Sequence, residues 1–243
     1  MATVRQPKSI LGRQDKVGKP KYLKALFYGA PGTGKTSIVA TAPKLLLLDT
    51  DGGATTVRDQ DNITVVRVTE WSDIQDVLHT LMREEHPWES VAIDTLTTMQ
   101  MVAEVSFNLA QDYIENRDPR RTYARMAAMI RAALVSFTNL PMHVLFTAHQ
   151  RVVGEEDLGV EEGVYSMMPD IQPAVARLAL ALPDVIGHTH FIAKGGNLVQ
   201  AVRFGPNLRS VTKERNLGLP PVALNVTIPE IIDIIRSNNP KEE

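Results

Sequence analysis

Cysteine is missing from the chain altogether, which excludes a disulfide framework and a thiolate zinc site. Long apolar runs are missing too. No uninterrupted stretch reaches the roughly 18 residues that a membrane span needs, and Met1-Ala2-Thr3-Val4-Arg5-Gln6-Pro7-Lys8 lacks the apolar segment of a secretory leader. No membrane partner is expected, and the expected location is the cytoplasm. Nor does one sign of charge prevail: 26 basic and 28 acidic side chains give a net charge of −2, so any contact with nucleic acid must rest on local patches. What the 243 residues do have is 44% hydrophobic and 22% charged side chains, enough to bury the core of one α/β domain.

The most informative segment is Gly29-Ala30-Pro31-Gly32-Thr33-Gly34-Lys35-Thr36, a complete G-x-x-x-x-G-K-[ST] pattern that follows the apolar run Ala25-Leu26-Phe27-Tyr28. Glycines at both ends let successive backbone N–H groups turn inward on a β-phosphate with no Cβ in the way. Lys35 supplies a point charge for the β- and γ-phosphates, and the Thr36 hydroxyl is placed to ligate Mg²⁺. The expected ligands are therefore ATP and Mg²⁺, with residues 29–36 and Ser37 as contacts.

Around this loop, strand and helix patterns alternate. Residues 44–49, 63–68, 90–94 and 142–147 are short apolar runs bounded by turn residues and read as parallel strands. Residues 72–85 carry Ile74, Val77, Leu78, Leu81 and Met82 at helical spacing, with Trp71 and Trp88 anchoring the two ends, and helices are expected at 97–114 and 123–138. Residues 199–204 and 208–212 read as a hairpin around Gly205-Pro206-Asn207, and Thr227-Ile228-Pro229-Glu230 is a capping box opening a last helix. The strand Ser90-Val91-Ala92-Ile93 runs into Asp94, a carboxylate expected to hold Mg²⁺ opposite Thr36.

Thr95 stands where AAA+ proteins usually place a catalytic glutamate, so the base must be sought elsewhere. Leu48-Asp49-Thr50-Asp51-Gly52-Gly53 resembles the stretch of the RecA superfamily that carries the catalytic glutamate, which makes Asp51, one methylene shorter, the candidate base; either hydrolysis is slow or Asp49 shares the work. The resemblance continues through 124–131 and Thr147-Ala148-His149-Gln150, which makes Gln150 the γ-phosphate sensor. It extends to Lys213-Glu214-Arg215-Asn216, similar to motifs with which ring and filament ATPases insert cations into a neighbour's active site. Over residues 24–220 the chain looks most like the single-domain RecA-like ATPases of bacteriophages, including single-strand annealing recombinases and AAA-domain nucleotide-binding proteins.

That resemblance implies a RecA-like α/β fold with a mostly parallel twisted sheet, flanking helices and a C-terminal β-hairpin. It implies ATP hydrolysis on single-stranded DNA in recombination, repair or replication, inside a host cell. Lys35, Asp51, Asp94, Gln150, Lys213 and Arg215 would be catalytic, and Thr36 and Asp94 would hold the metal. Self-association into a ring or filament is implied by the fingers Lys213 and Arg215, and a single-stranded-DNA-binding protein is a possible further partner. One DNA loop maps to the basic turn holding Arg117, Arg120 and Arg121; the other maps to 151–169, an acidic run where Arg151, Tyr165 or Met167 would make the contact. The rival reading is a DNA-independent nucleotide switch or loader that binds a protein.

The expected organisation is a basic arm at 1–23, an ATPase domain at 24–237 and a tail at 238–243. The arm reads either as a solvated tail or as a contact to nucleic acid or a neighbouring subunit. His188 and His190 alternate along a strand and are expected to be ordinary strand or interface histidines rather than metal ligands.

Overall fold

The computed structural model describes residues 20–57, 59–111, 119–154 and 166–238. Most of the expected arm, Arg117 among residues 112–118, the acidic run from 155 to 165 with Tyr165, and nearly all of the tail lie outside the described residues. Among those described, ten strands form one sheet: β1 (Lys24–Gly29), β2 (Leu45–Asp49), β3 (Ile63–Arg67), β4 (Ser90–Asp94), β5 (His143–Val153), β6 (Ser166–Pro169), β7 (Val185–Lys194), β8 (Asn197–Arg203), β9 (Lys213–Glu214) and β10 (Val222–Leu224). The order across it is β10-β8-β7-β1-β5-β4-β2-β3, with β6 on the far end of β5 and β9 on the near end of β7. The strands from β3 across to β7 are parallel, whereas β6, β8 and β9 run antiparallel to the neighbours named. The expected architecture, a mostly parallel sheet flanked by helices, is the one observed.

The alternation of side chains along the strands divides the core into two layers. Leu26, Tyr28, Leu46, Leu48, Val91, Ile93, Val144 and Phe146 face one side, where they meet α2 (Trp71–Arg83), α3 (Leu96–Gln111), α4 (Pro119–Thr138) and α5 (Pro173–Ala181) through side chains such as Ile74, Met99, Ile130, Phe137 and Val175. Ala25, Phe27, Leu45, Leu47, Ala92 and Leu145 face the other side, against α1 (Lys35–Val39) and α6 (Ile228–Ser237) through Ile38, Ile228, Ile231 and Ile235. Helix α6 begins at the expected capping box, with Thr227 accepting from the Glu230 N–H and Glu230 accepting from the Thr227 N–H. Trp71 is buried at the start of α2, and the Trp88 indole N–H donates to Thr64, so both tryptophans anchor that helix region to the sheet.

Three expectations need correction. Strand β5 does not end at Thr147 but runs on to Val153, because residues 150–153 find a second antiparallel partner in β6. Helix α5 went unread, although Pro173 at its first turn is a start signal. The hairpin is formed by other residues: β8 pairs with β7 through Gly195-Gly196, both at positive φ, and not with 208–212. Gly205 is pressed against Pro221, to whose carbonyl its N–H donates, and Pro206 has no N–H for a ladder. Residues 204–212 therefore leave the sheet edge and lie along β6, where Met167 exchanges backbone hydrogen bonds with Arg209 and Val211.

Candidate active site

Strands β1, β5 and β4 bring their carboxyl ends together, where the sheet topology leaves a crevice for ligands. Gly29 ends β1 opposite His149 of β5, and the loop that follows turns through Gly32 and Gly34, both at positive φ, into the single turn and a half of α1. Gly29 has to be glycine for a steric reason: a Cβ there would lie 2.4 Å from the Thr189 carbonyl and 2.3 Å from its hydroxyl.

Lys35 is buried beneath the loop, with its Nζ donating to the Gly29 and Ala30 carbonyls, each at 3.0 Å. Burial pushes its pKa below the usual lysine value, against the pull of Asp94 and Asp51. The Thr36 hydroxyl donates to Asp94 Oδ2 at 2.7 Å, and the Thr147 hydroxyl donates to Asp94 Oδ1. Burial raises the Asp94 pKa above the ordinary carboxylate value; those two hydroxyls and Lys35 oppose the rise, while Asp51 adds to it. The expected group of Lys35, Thr36 and Asp94 is thus assembled in one place, with Asp51 close enough to bias both charges.

The two acids after β2 have different surroundings. Asp49 is buried and held: its Oδ1 accepts from the Gly52 N–H at 2.7 Å and lies 3.3 Å from the Arg67 guanidinium. Through that oxygen it stabilises the turn. Asp51 is exposed, uses Oδ1 to accept from the Gly53 N–H, and presents Oδ2 at 3.9 Å from His149 Nε2.

Gln150 and His149 divide along the strand. Period two places His149 on the same face of β5 as Thr147, toward Asp94 and Asp51, whereas Gln150 turns to the other face, its Oε1 at 3.0 Å from His188 Nε2. His149 Nδ1 is buried with no hydrogen-bond partner among the described residues. On the face that carries Thr147 and Asp94, the residue that β5 presents next is His149. Counting two residues on from Thr147 would have found it.

Two more residues were missed. Thr189 of β7 shares a 2.8 Å hydrogen bond with the Thr33 hydroxyl, and the Gln200 amide of β8 donates to the Thr33 carbonyl at 2.7 Å. Together they fasten the loop to the hairpin. Partners 156 and 167 residues distant leave no local sequence signal.

The remaining expected residues lie elsewhere. Lys213 pairs in register with Ile186 near the start of β7, while Thr189 at the loop's level pairs with Gly29, so Lys213 and Arg215 sit toward the end of the sheet away from the loop. Their side chains do not project outward as the expected hairpin would have required. Lys213 donates to the Leu180 and Ala181 carbonyls, and Arg215 donates to Ala181 and to Asp184 at 2.9 Å, so both cations cap the C-terminus of α5. Arg120 and Arg121 are exposed on the first turn of α4. Arg151 lies on β5 beyond the site, half-buried, with its guanidinium 3.6 Å from the Met168 sulfur. The His188 and His190 rings stack at 5.3 Å, and among the described residues no group of three or more metal-ligating side chains forms.

The sequence profile of a family described as "AAA domain" matches residues 21–215. No curated protein matches the chain. Among solved structures it is similar to a KaiC-like protein of the archaeon Pyrococcus horikoshii OT3, at 11% identity and a TM-score of 0.44, covering 77% of this chain and 80% of that one. It is also similar to the flagellar accessory protein FlaH of Methanocaldococcus jannaschii, at 9% identity and a TM-score of 0.40, covering 84% and 89%. Among the described residues no helix is long and apolar enough to cross a membrane.

Proposed function

The chain belongs to the AAA domain family, and from that premise we propose that it binds ATP with Mg²⁺ in the loop 29–37 and hydrolyses it. The observation that carries this reading is the 2.7 Å contact between Thr36 and Asp94, which joins the loop to the carboxylate strand beside the buried Lys35. A hydroxyl and a carboxylate oxygen suit a hard divalent cation, and Thr36 and Asp94 would hold it. When bound, Mg²⁺ supplies charge neutralisation on the transferring phosphoryl group. Lys35 leaves two carbonyls of its own loop to reach the phosphates, and the loop N–H groups orient them. Asp51 takes the proton of the attacking water, and His149 beside it positions that carboxylate.

Single-stranded DNA is the proposed polymer partner, supported by the exposed Arg120, Arg121 and Tyr123 on the first turns of α4 and by Arg151 beyond the site. A second reading, a DNA-independent switch or loader, is favoured by one observation: the cations expected to serve a neighbour's site are bonded to their own helix end. ATP turnover with and without single-stranded DNA separates the two. Stimulation supports the DNA reading, and indifference supports the switch.

A further inference from the structure

A cavity of about 500 Å³ opens beside the phosphate loop, on the side of β7 and β8, with Ala30 and Thr33 forming part of its wall. That volume falls in the range of small-molecule sites. Its charge is one-sided. Arg203 and Arg209 line it, together with His188 and His190, and no carboxylate belongs to the lining. Among the described residues neither guanidinium forms an ion pair.

The two arginines come from two directions. Arg203 pairs in register with His188 on the β7–β8 ladder, which places it on the face of the hairpin that also carries His190. Arg209 comes from the excursion after β8, where its N–H donates to the Asn207 side chain and its carbonyl accepts from the Met167 N–H at 2.8 Å. Asn207 is fixed in turn by a 2.7 Å bond to the Ser210 hydroxyl. The cavity is also flat-walled: His188 lies between the Tyr28 and His190 rings at 5.0 and 5.3 Å, and Phe191, 46% exposed, stands at the rim. Burial, His190 and Arg203 hold the His188 pKa down at about 4, so the ring bonded to Gln150 is neutral at physiological pH and the positive charge belongs to the arginines.

We propose that this cavity is a second phosphate-ligand site, adjoining the loop 29–36, which takes one nucleotide unit with its phosphate on Arg203 and Arg209 and its base against the His190 ring. Guanidinium groups suit phosphate oxygens, and stacking on an aromatic face tolerates any base. The unit can come from a free mononucleotide or from single-stranded DNA. The chemistry is the same, and the site does not depend on turnover at the loop.

The test uses the full chain with its loop saturated by a non-hydrolysable ATP analogue and Mg²⁺. Binding of thymidine monophosphate and of a short fluorescent oligothymidylate is measured for the parent, Arg203→Gln and Arg209→Gln. Arg209 is exposed, so at least that variant keeps the fold, which circular dichroism checks. Each arginine change is expected to weaken binding about tenfold or more. Loss with both probes supports the site with a free nucleotide as a sufficient ligand; loss with the oligonucleotide alone supports it with a strand as the ligand. Binding of both probes that is indifferent to both changes overturns it. An oligonucleotide response confined to Arg120→Gln, Arg121→Gln or Arg151→Gln also overturns the cavity while leaving the DNA reading intact.

Discussion

Thr36 and Asp94 meet at 2.7 Å although β1, which leads through the loop to Thr36 on α1, and β4, which ends in Asp94, are separated in the sheet by β5. The intervening strand reinforces the contact, since Thr147 of β5 donates to the other carboxylate oxygen. A hydrogen bond to a charged group contributes about 1.5–3 kcal/mol, and Asp94 has one on each oxygen. The site is therefore set in position by the sheet itself.

Lys35→Ala tests the phosphate site. The variant is expected to keep its fold and lose about 10- to 100-fold in ATP affinity or turnover, because the charge removed is the one that meets phosphate. Calorimetric titration and steady-state phosphate release measure the two. Parental turnover in a folded variant would remove the nucleotide reading.

Asp51→Asn separates binding from chemistry. ATP affinity should be retained and turnover should fall by about 100-fold or more, while Asp51→Glu retains activity. His149→Ala should lower turnover about 10-fold at constant affinity. Parental turnover in the His149 variant would exclude a positioning role beside Asp51.

Much of this site was legible in the sequence. The loop, Lys35, Thr36 and Asp94 are set by a local pattern and by a strand whose apolar run stops at the carboxylate. The same is true of β2 and β4 and of the α6 capping box, because burial on both faces and reciprocal capping each leave a short-range signature. Residues 204–212 were misread because their fate depends on distant partners, Pro221 and Met167. The resemblance pointed to Gln150 and left His149 unnamed, because the face each one takes is set by strand phase relative to Thr147.

Gly34→Ala and Gly29→Ala should differ in kind. At Gly34, with φ +80°, a Cβ would lie 1.9 Å from the Gln200 amide nitrogen, the far end of a side chain that can swing away. The left-handed backbone then costs about 1–2 kcal/mol, and Gln200→Ala should recover the steric part in a double-mutant cycle. At Gly29 the obstacle includes the Thr189 carbonyl at 2.4 Å, so Thr189→Ala should rescue little. Chemical denaturation gives both cycles. Equal rescue at the two positions would contradict the clamp described.

Acid should destabilise the fold through its buried histidines. His143 Nδ1 accepts from the Leu23 N–H at 3.0 Å, and burial, with Arg236 and Lys24, lowers its pKa to about 4; His188 is lowered to about 4 as well. Since the folded pKa lies below the unfolded value near 6.5, the unfolded chain binds more protons between those limits, and stability falls as pH drops from about 6.5 toward 4. Each histidine should account for about 1–2 kcal/mol between pH 7 and pH 5 after allowance for solvent screening. Urea titrations of the parent and of His143→Gln at the two pH values test the slope. A parental stability that does not change with pH would show that these rings protonate freely in the folded state.

Arg215 decides between a helix cap and a finger for a neighbouring subunit. Its guanidinium donates to Asp184 and to the Ala181 carbonyl at the end of α5, and Lys213 donates to Leu180 and Ala181 beside it. Burial raises the Asp184 pKa, while Arg215 and Lys213 oppose that rise, so the two cations favour the ionised carboxylate. Because the Arg215–Asp184 pair is half-exposed, Arg215→Ala should lower stability by about 1 kcal/mol or less and leave ATP binding intact. Mixing that variant with Lys35→Ala gives the decisive measurement. Capping alone predicts that the mixture has only the summed activity of its parts at every protein concentration. Recovered turnover that rises with concentration would mean that Arg215 leaves Asp184 and enters the site of another copy, where it would neutralise charge on the transferring phosphoryl group.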